Sequence, residues 1–240
     1  MSTLIHWLGI LGAGFVVTIE LSALTLVLAV IVAGVVALMS ISPWRLARGL
    51  ASVYVDVFRS IPILALAISV YYGLGATLHE LGITPFGTAV AVLAAIESAY
   101  LAELYRGSLE AIRRPQWDAA SSLGLGWFAT VRHVILPQAL PPAVPLTLNM
   151  AIAIVKDSSL VSLIAVSEVT LVANQLIAET FQPVQVYLLV ALLYVVLILP
   201  LSQVARRVEV LVAHRLGLEP RTQQDKNLQR LAIEAEARAG

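Results

Sequence analysis

Leu21-Ser-Ala-Leu-Thr-Leu-Val-Leu-Ala29-Val-Ile-Val-Ala33-Gly-Val-Val-Ala37-Leu-Met-Ser-Ile-Ser-Pro-Trp44 runs from Glu20 to Arg45 without a single Asp, Glu, Lys or Arg. A bilayer core takes about 20 apolar residues of helix, and a charge at its centre costs roughly 2.5–3.5 kcal/mol on insertion scales. The stretch therefore reads as a membrane span. Working outward, Ser60 to His79 is also free of formal charge, and Leu81 to Tyr105 carries only Glu97 and Glu103. His133 to Val155 and Thr180 to Ala205 carry none. Five spanning helices are expected, at 13–39, 52–76, 86–108, 134–164 and 183–207. The runs are long and apolar on every face, unlike the short alternating segments of a membrane barrel.

Composition supports this reading. Of 240 residues, 59% are hydrophobic and 12% charged, with a mean hydropathy of +0.89; soluble domains are about 45–50% apolar and about 25% charged. Fifteen basic and fifteen acidic residues cancel, which excludes a basic nucleic-acid footprint. Cysteine is absent, so no disulfide framework, Cys-ligated metal or thiol nucleophile is available. The first span lacks a basic leader and a small-residue cleavage pattern, and reads as retained rather than as a signal peptide.

Arginines set the orientation. Arg45 and Arg48 follow span one, Arg106, Arg113, Arg114 and Arg132 follow span three, and Arg206, Arg207 and Arg215 follow span five. The segments 77–85 and 165–182 contain no Lys or Arg. The positive-inside rule then places the amino terminus outside and the carboxyl terminus in the cytoplasm. Residues 1–218 are read as one membrane domain, and the polar 219–240 as a cytoplasmic tail with a short helix over Leu228–Ala237. Ala29, Ala33 and Ala37, and again Ala91, Ala95 and Ala99, recur every four positions, a spacing that lets helix backbones approach closely.

Between spans three and four, Pro115 suits a first helical position, Asp118 falls in the first turn where the dipole favours an acid, and Gly124 is a natural stop. A short cytoplasmic helix is expected there. A second leads from Trp127 and Phe128 to Pro137.

Ionisable residues inside spans are functional candidates by default. Glu97 lies mid-span, where it can meet a substrate ammonium or pair with Lys156; both readings stay open. Lys156, Asp157, Ser158 and Ser159 lie in the outer part of span four, where Lys156 can be neutralised by Asp157 or receive a substrate carboxylate, and Asn149, nearer its middle, can line the path or bond across to a neighbouring helix. Arg59, one turn from Asp56, suits snorkelling or local pairing, and Glu103 with Arg106 an i, i+3 pair. Pro137, Pro141, Pro142 and Pro145 suggest helix initiation and a kink.

Several chemistries are missing. The only lysines, Lys156 and Lys226, do not follow a glycine, so no phosphate cradle exists. His79-Glu80 begins like a zinc-protease motif, but Ile83 stands where the second histidine belongs. The glycines from Gly9 to Gly14 have no preceding strand and suit helix packing. An intramembrane enzyme has little to work with. An ion-coupled transporter or channel subunit, with Glu97 or Lys156 as the ion site, remains the alternative, as does a subunit serving assembly alone.

Asp118-Ala119-Ala120, three residues, Gly124, nine residues and Val134-x-Leu136-Pro137 resemble the EAA loop of bacterial ABC importer permeases. Tyr54-Val-Asp-Val-Phe-Arg59-Ser-Ile-Pro62, Ala99-Tyr100-Leu-Ala-Glu103-Leu-Tyr-Arg106-Gly107 and Lys156-Asp157-Ser158-Ser159-Leu-Val-Ser162 resemble its polar-amino-acid branch. The family's usual glutamate is Asp118 here. The resemblance implies an all-α permease with five spans and a coupling helix between spans three and four. It also implies that the chain is not itself an enzyme. Trp117, Asp118, Ala119, Ala120, Leu123, Gly124, Leu136 and Pro137 would couple it to a separate ATPase dimer, which would bind ATP and Mg. Further implied partners are a second permease copy or paralogue, an extracytoplasmic solute-binding protein, an amino-acid-like substrate and the lipid of the bacterial inner membrane.

Overall fold

The computed structural model describes residues 2–112 and 114–216. Arg113 and the tail at 219–240, with the helix expected over Leu228–Ala237, lie outside the described residues. The elements are α1 (Ser2–Ser40), α2 (Arg45–Ser60), α3 (Ile63–Gly73), α4 (Gly75–Glu80), α5 (Pro85–Glu110), α6 (Arg114–Ser122), α7 (Trp127–Thr130), α8 (Leu136–Asp157), α9 (Val169–Thr180) and α10 (Pro183–Arg215). A π-helical turn, Val131–Ile135, leads into α8, and a 3-10 helix, Ser158–Ile164, follows it. Helices joined by short turns make up the described residues, with no strand among them.

α5 is the centre of the bundle. It packs against α1 over most of its length and also touches α2, α3 and α8. The α1 alanines behave as their spacing suggests: Ala29, Ala33 and Ala37 are all buried. The α5 stripe does not behave uniformly, since Ala99 is buried, Ala95 half-buried and Ala91 exposed. One core joins Leu21, Leu93 and Ile164 near the carboxyl-terminal end of the 3-10 helix. A second joins Ala33, Leu101 and Ile154, and a third packs Trp7 and Leu11 against Leu176 and Val186.

The region expected as one span at 52–76 is two helices, α2 and α3, bent by 94°. Ile61 is extended (φ −96°, ψ 125°) because the following Pro62 disfavours the helical region. Interior prolines elsewhere do not end their helices: Pro141, Pro142 and Pro145 lie within α8, and Pro200 within α10.

The segment 165–182, expected as a loop, contains the 12-residue α9. Val169, Ala173 and Leu176 recur at helical spacing and bury against the outer part of α1. Gly14 makes the approach possible: a Cβ there would stand 2.8 Å from Val172 Cγ2 and 3.0 Å from Val169 Cα. Gly9 and Gly12 have open space instead.

Candidate translocation path and coupling segment

Glu97 sits in the middle of α5 and is 3% exposed. The group facing it is the carboxyl of Asp157, at the end of α8. Lys156 is exposed and forms no ion pair among the described residues. Of the two readings for Glu97, the lysine partner is therefore not what the bundle provides. Adjacent residues on a helix point about 100° apart, so the chain delivers either Lys156 or Asp157 to Glu97 but not both. Two carboxyl groups in contact need a proton or a cation between them.

Around this pair the remaining candidates divide. Asn149 is exposed on α8, with no hydrogen bond to a neighbouring helix among the described residues. It lies two turns before Lys156, so both project from the same side of α8. Ser158 is fully buried and donates its hydroxyl to Val155 O at 2.8 Å; Ser159 donates to Lys156 O, also at 2.8 Å. Both serines thus stitch the 3-10 turn onto α8 and have only lone pairs to offer outward. Across the groove, Tyr54 Oη lies 2.7 Å from Ser98 Oγ and donates to Ala95 O at 3.0 Å, tying α2 to α5 beside Glu97.

Arg59 differs from the local pairing suggested by Asp56. Its guanidinium lies over the Tyr100 ring, 5.3 Å from the centroid, a cation–π contact. The Tyr100 hydroxyl donates to Arg59 O at 3.3 Å. Asp56 instead accepts from Ser52 Oγ at 3.1 Å. Glu103 and Arg106 do pair, in a two-bonded fork at 2.9 and 2.6 Å, and Arg106 extends to Glu110 at 2.6 Å. These groups form a charged strip along the exposed side of α5.

Glu168 is a residue that sequence reasoning missed. It is 0% exposed, caps α9 by accepting from Thr170 N at 2.8 Å and Leu171 N at 2.9 Å, and lies 3.5 Å from Thr18 Oγ1. Thr18 in turn accepts from Val169 N at 3.2 Å. Burial pushes the Glu168 carboxyl above its ordinary range, although the two backbone donors pull the other way. The available signal was an acid directly before an apolar run, a helix-start pattern.

The segment between α5 and α8 carries a short helix, α6, whose termination is built by Gly124. Its φ of +75° turns the chain so that Leu125 N–H reaches Ala120 O at 3.1 Å. The expected coupling residues face two ways. Ala120 is 3% exposed, and Trp117 packs with Ile135, Ala139 and Leu109 beneath the ends of α1, α5 and α8. Asp118 and Ala119 are exposed, and Leu123 is 81% exposed. Phe128, 71% exposed, extends this outer face and was not singled out from the sequence. Leu136 packs into the inner cluster, and Pro137 begins α8. No group of His, Asp and Glu suited to a metal occurs among the described residues.

Residues 25–215 match the family of binding-protein-dependent transport system inner membrane components. The chain belongs to that family: it is a multi-pass inner-membrane permease subunit of an ABC transport system, and not itself a catalytic enzyme. It is 35% identical over 164 residues to the glutamine transport system permease protein of Escherichia coli K12, spanning 68% of this chain and 75% of that one. It is 32% identical over 200 residues to the nopaline transport system permease protein of Agrobacterium fabrum C58, covering 80% and 83%. Among solved structures, an amino acid ABC transporter crystallised with histidines superposes with a TM-score of 0.76 at 30% identity, covering 85% of this chain and 94% of that one. An inward-facing methionine ABC transporter shares the fold, with a TM-score of 0.64 at 20% identity and coverage of 88% and 99%.

Proposed function

We propose that this chain forms half of an import path for polar amino acids or related zwitterions such as opines, driven by a separate ATPase. The observation that carries the cargo reading is the Glu97–Asp157 acid pair, a buried carboxyl on α5 facing a half-buried one at the end of α8. A substrate ammonium supplies the positive charge that two facing carboxyls require, and the exposed Lys156 on the same helix as Asp157 supplies a site for the carboxylate. The similarity to glutamine and nopaline permeases supports the same class of cargo.

A path needs walls on every side, and this bundle leaves the polar side of α8 and the charged strip of α5 uncovered. A second permease, identical or paralogous, closes them. Arg59 and the Glu103–Arg106–Glu110 strip then line the cytoplasmic half as a gate. An extracytoplasmic binding protein delivers cargo to the side bearing α9, with the amino terminus outside and the carboxyl terminus inside.

Drive enters through α6. The outer face formed by Asp118 and Ala119 of α6, Leu123 just after it and Phe128 of α7 is mostly apolar and singly charged, suited to a cleft on an ATPase subunit that binds ATP and Mg. The inner face of α6, Trp117 and Ala120, is packed onto the bundle, so displacement of α6 is transmitted to the ends of α1, α5 and α8. The work comes from the motor's differential affinity for two states of the permease. Reconstitution with the ATPase and binding protein tests the cargo reading: Glu97→Gln should lower uptake of an amino acid about tenfold, the loss of one charge-assisted contact. Undiminished uptake at wild-type abundance contradicts it.

A further inference from the structure

Among the described residues, two have a left-handed backbone without being glycine: Ala165 (φ 60°) and Phe181 (φ 55°). They bracket one segment. Ala165 closes the 3-10 helix that precedes α9, and Phe181 closes α9 itself. The conformation carries a cost, because the Cβ of an L-residue crowds the following carbonyl oxygen. Both side chains are exposed, so neither residue is forced into it by its own packing. Strain of this kind persists only where surrounding contacts impose it. Here the contacts that seat α9 do so.

Those contacts are of two sorts. Val169 and Ala173 pack between α1 and α10, with Gly14 leaving room for the α9 backbone. The polar hold gathers on one hydroxyl of α1. Thr18, fully buried, accepts from Val169 N at 3.2 Å, donates to Gly14 O at 3.2 Å and lies 3.5 Å from Glu168 Oε2. The other Glu168 oxygen is engaged within α9, at Thr170 N and Leu171 N. Tyr187 of α10 also donates to Asn174 at 2.6 Å, but that pair is exposed, where water replaces a lost partner. The buried tie is therefore Thr18.

We propose that residues 165–181 form an outer lid under strain, latched here onto α1 by Thr18 and hinged at Ala165 and Phe181. Shifting α9 off α1 lets both hinges leave the left-handed region, so the stored strain offsets part of the cost of parting the seam. The seven residues of the 3-10 helix, Ser158–Ile164, join Asp157 to the Ala165 hinge. Cargo held at Asp157 thus acts on the lid through one short element. That the lid covers the cargo path rests on the reading given under Proposed function. The measurements that test the lid use no cargo, so the two can fail separately.

Hydrogen exchange of the permease–ATPase complex in nanodiscs, without binding protein, tests the proposal. Amides of residues 169–173 should exchange about tenfold faster with a non-hydrolysable ATP analogue than without nucleotide, the factor one lost hydrogen bond gives. Thr18→Val keeps the side-chain shape and removes the hydroxyl; it should show the fast rate without nucleotide, and Thr18→Ser should restore the slow one. Ala165→Gly separates a lid from a turn that is merely strained. Glycine adopts a positive φ readily, so the thermal midpoint should hold or rise while the acceleration by nucleotide largely vanishes. Equal exchange with and without nucleotide overturns the proposal, as does slow exchange in Thr18→Val or undiminished acceleration in Ala165→Gly. If a variant does not assemble, the wild-type comparison decides alone.

Discussion

Glu97 and Asp157 face one another in an apolar bundle, and the cost of two facing carboxyls is the reason we propose the pair as a cargo site. A structural acid of this kind normally has a basic partner, and Lys156 was the only lysine in reach on paper. Which of two neighbouring residues turns inward depends on the rotation of α8 against α5, a tertiary fact that no charge count reveals. Asp157→Asn should therefore lower uptake as Glu97→Gln does, and the double variant should be little worse than either single one, since one bound cation is lost in each case. Transport assays on equal amounts of folded permease check this. Gly14 is a purely structural counterpart. Gly14→Val would drive a side chain into Val172 and the α9 backbone, costing about 1–3 kcal/mol by overpacking and lowering the thermal midpoint in detergent. Glu168 adds a pH dependence. Its carboxyl titrates above its ordinary value, so the folded state holds the proton more strongly than the unfolded chain. Its contribution is greatest below pH 4.5, the ordinary value, and fades as pH rises through the raised one. Hydrogen exchange of α9 amides should accordingly quicken as pH rises above 4.5, after correction for intrinsic rates, and Glu168→Gln should remove that pH dependence.

Helices were legible where a single rule decided them. The starts of α5 and α10, at Pro85 and Pro183, stand close to the charge breaks, whereas α10 runs past Arg206 and Arg207 to Arg215 because a helix continues into the cytoplasm where insertion cost no longer applies. The bend between α2 and α3 was not legible as a bend: a charge-free run reports that a segment is apolar and not which way it points. Pro62 was visible, yet Pro141, Pro142, Pro145 and Pro200 are equally visible and leave their helices continuous. The difference lies in what surrounds each proline. α9 escaped notice because 12 residues cannot span a bilayer, and its apolar stripe is matched by α1 rather than by lipid. In α6 the sequence marked the helix and its stop but not its two faces, for Ala119 and Ala120 are interchangeable until Trp117 is seen packed inward. Gly124→Ala should cost about 1–2 kcal/mol through the left-handed backbone it must adopt, and it should loosen α6 without affecting insertion. Limited proteolysis of the segment at 122–127, faster in the variant at unchanged abundance, is the expected result.

Taken whole, the molecule has a finished interior and unfinished outer surfaces. Apolar side chains on α1 and α10 face outward along their length, as lipid contact requires, while the charged strip of α5 and the polar side of α8 have no such use. That asymmetry is why the chain reads as one part of an assembly: a path enclosed on one side, a lever packed on one face. The family match and the superposition on an amino acid transporter agree with a permease subunit of an ABC system. We propose that the outer face of α6 lies in the cytoplasm and meets a motor subunit. The chain contains no cysteine, so Leu123→Cys creates a unique label site at an 81% exposed position. Labelling it with a membrane-impermeant maleimide in oriented vesicles should succeed only from the cytoplasmic side and should be blocked when the ATPase subunits are bound. Labelling from the opposite side, or labelling indifferent to the ATPase, would contradict the account.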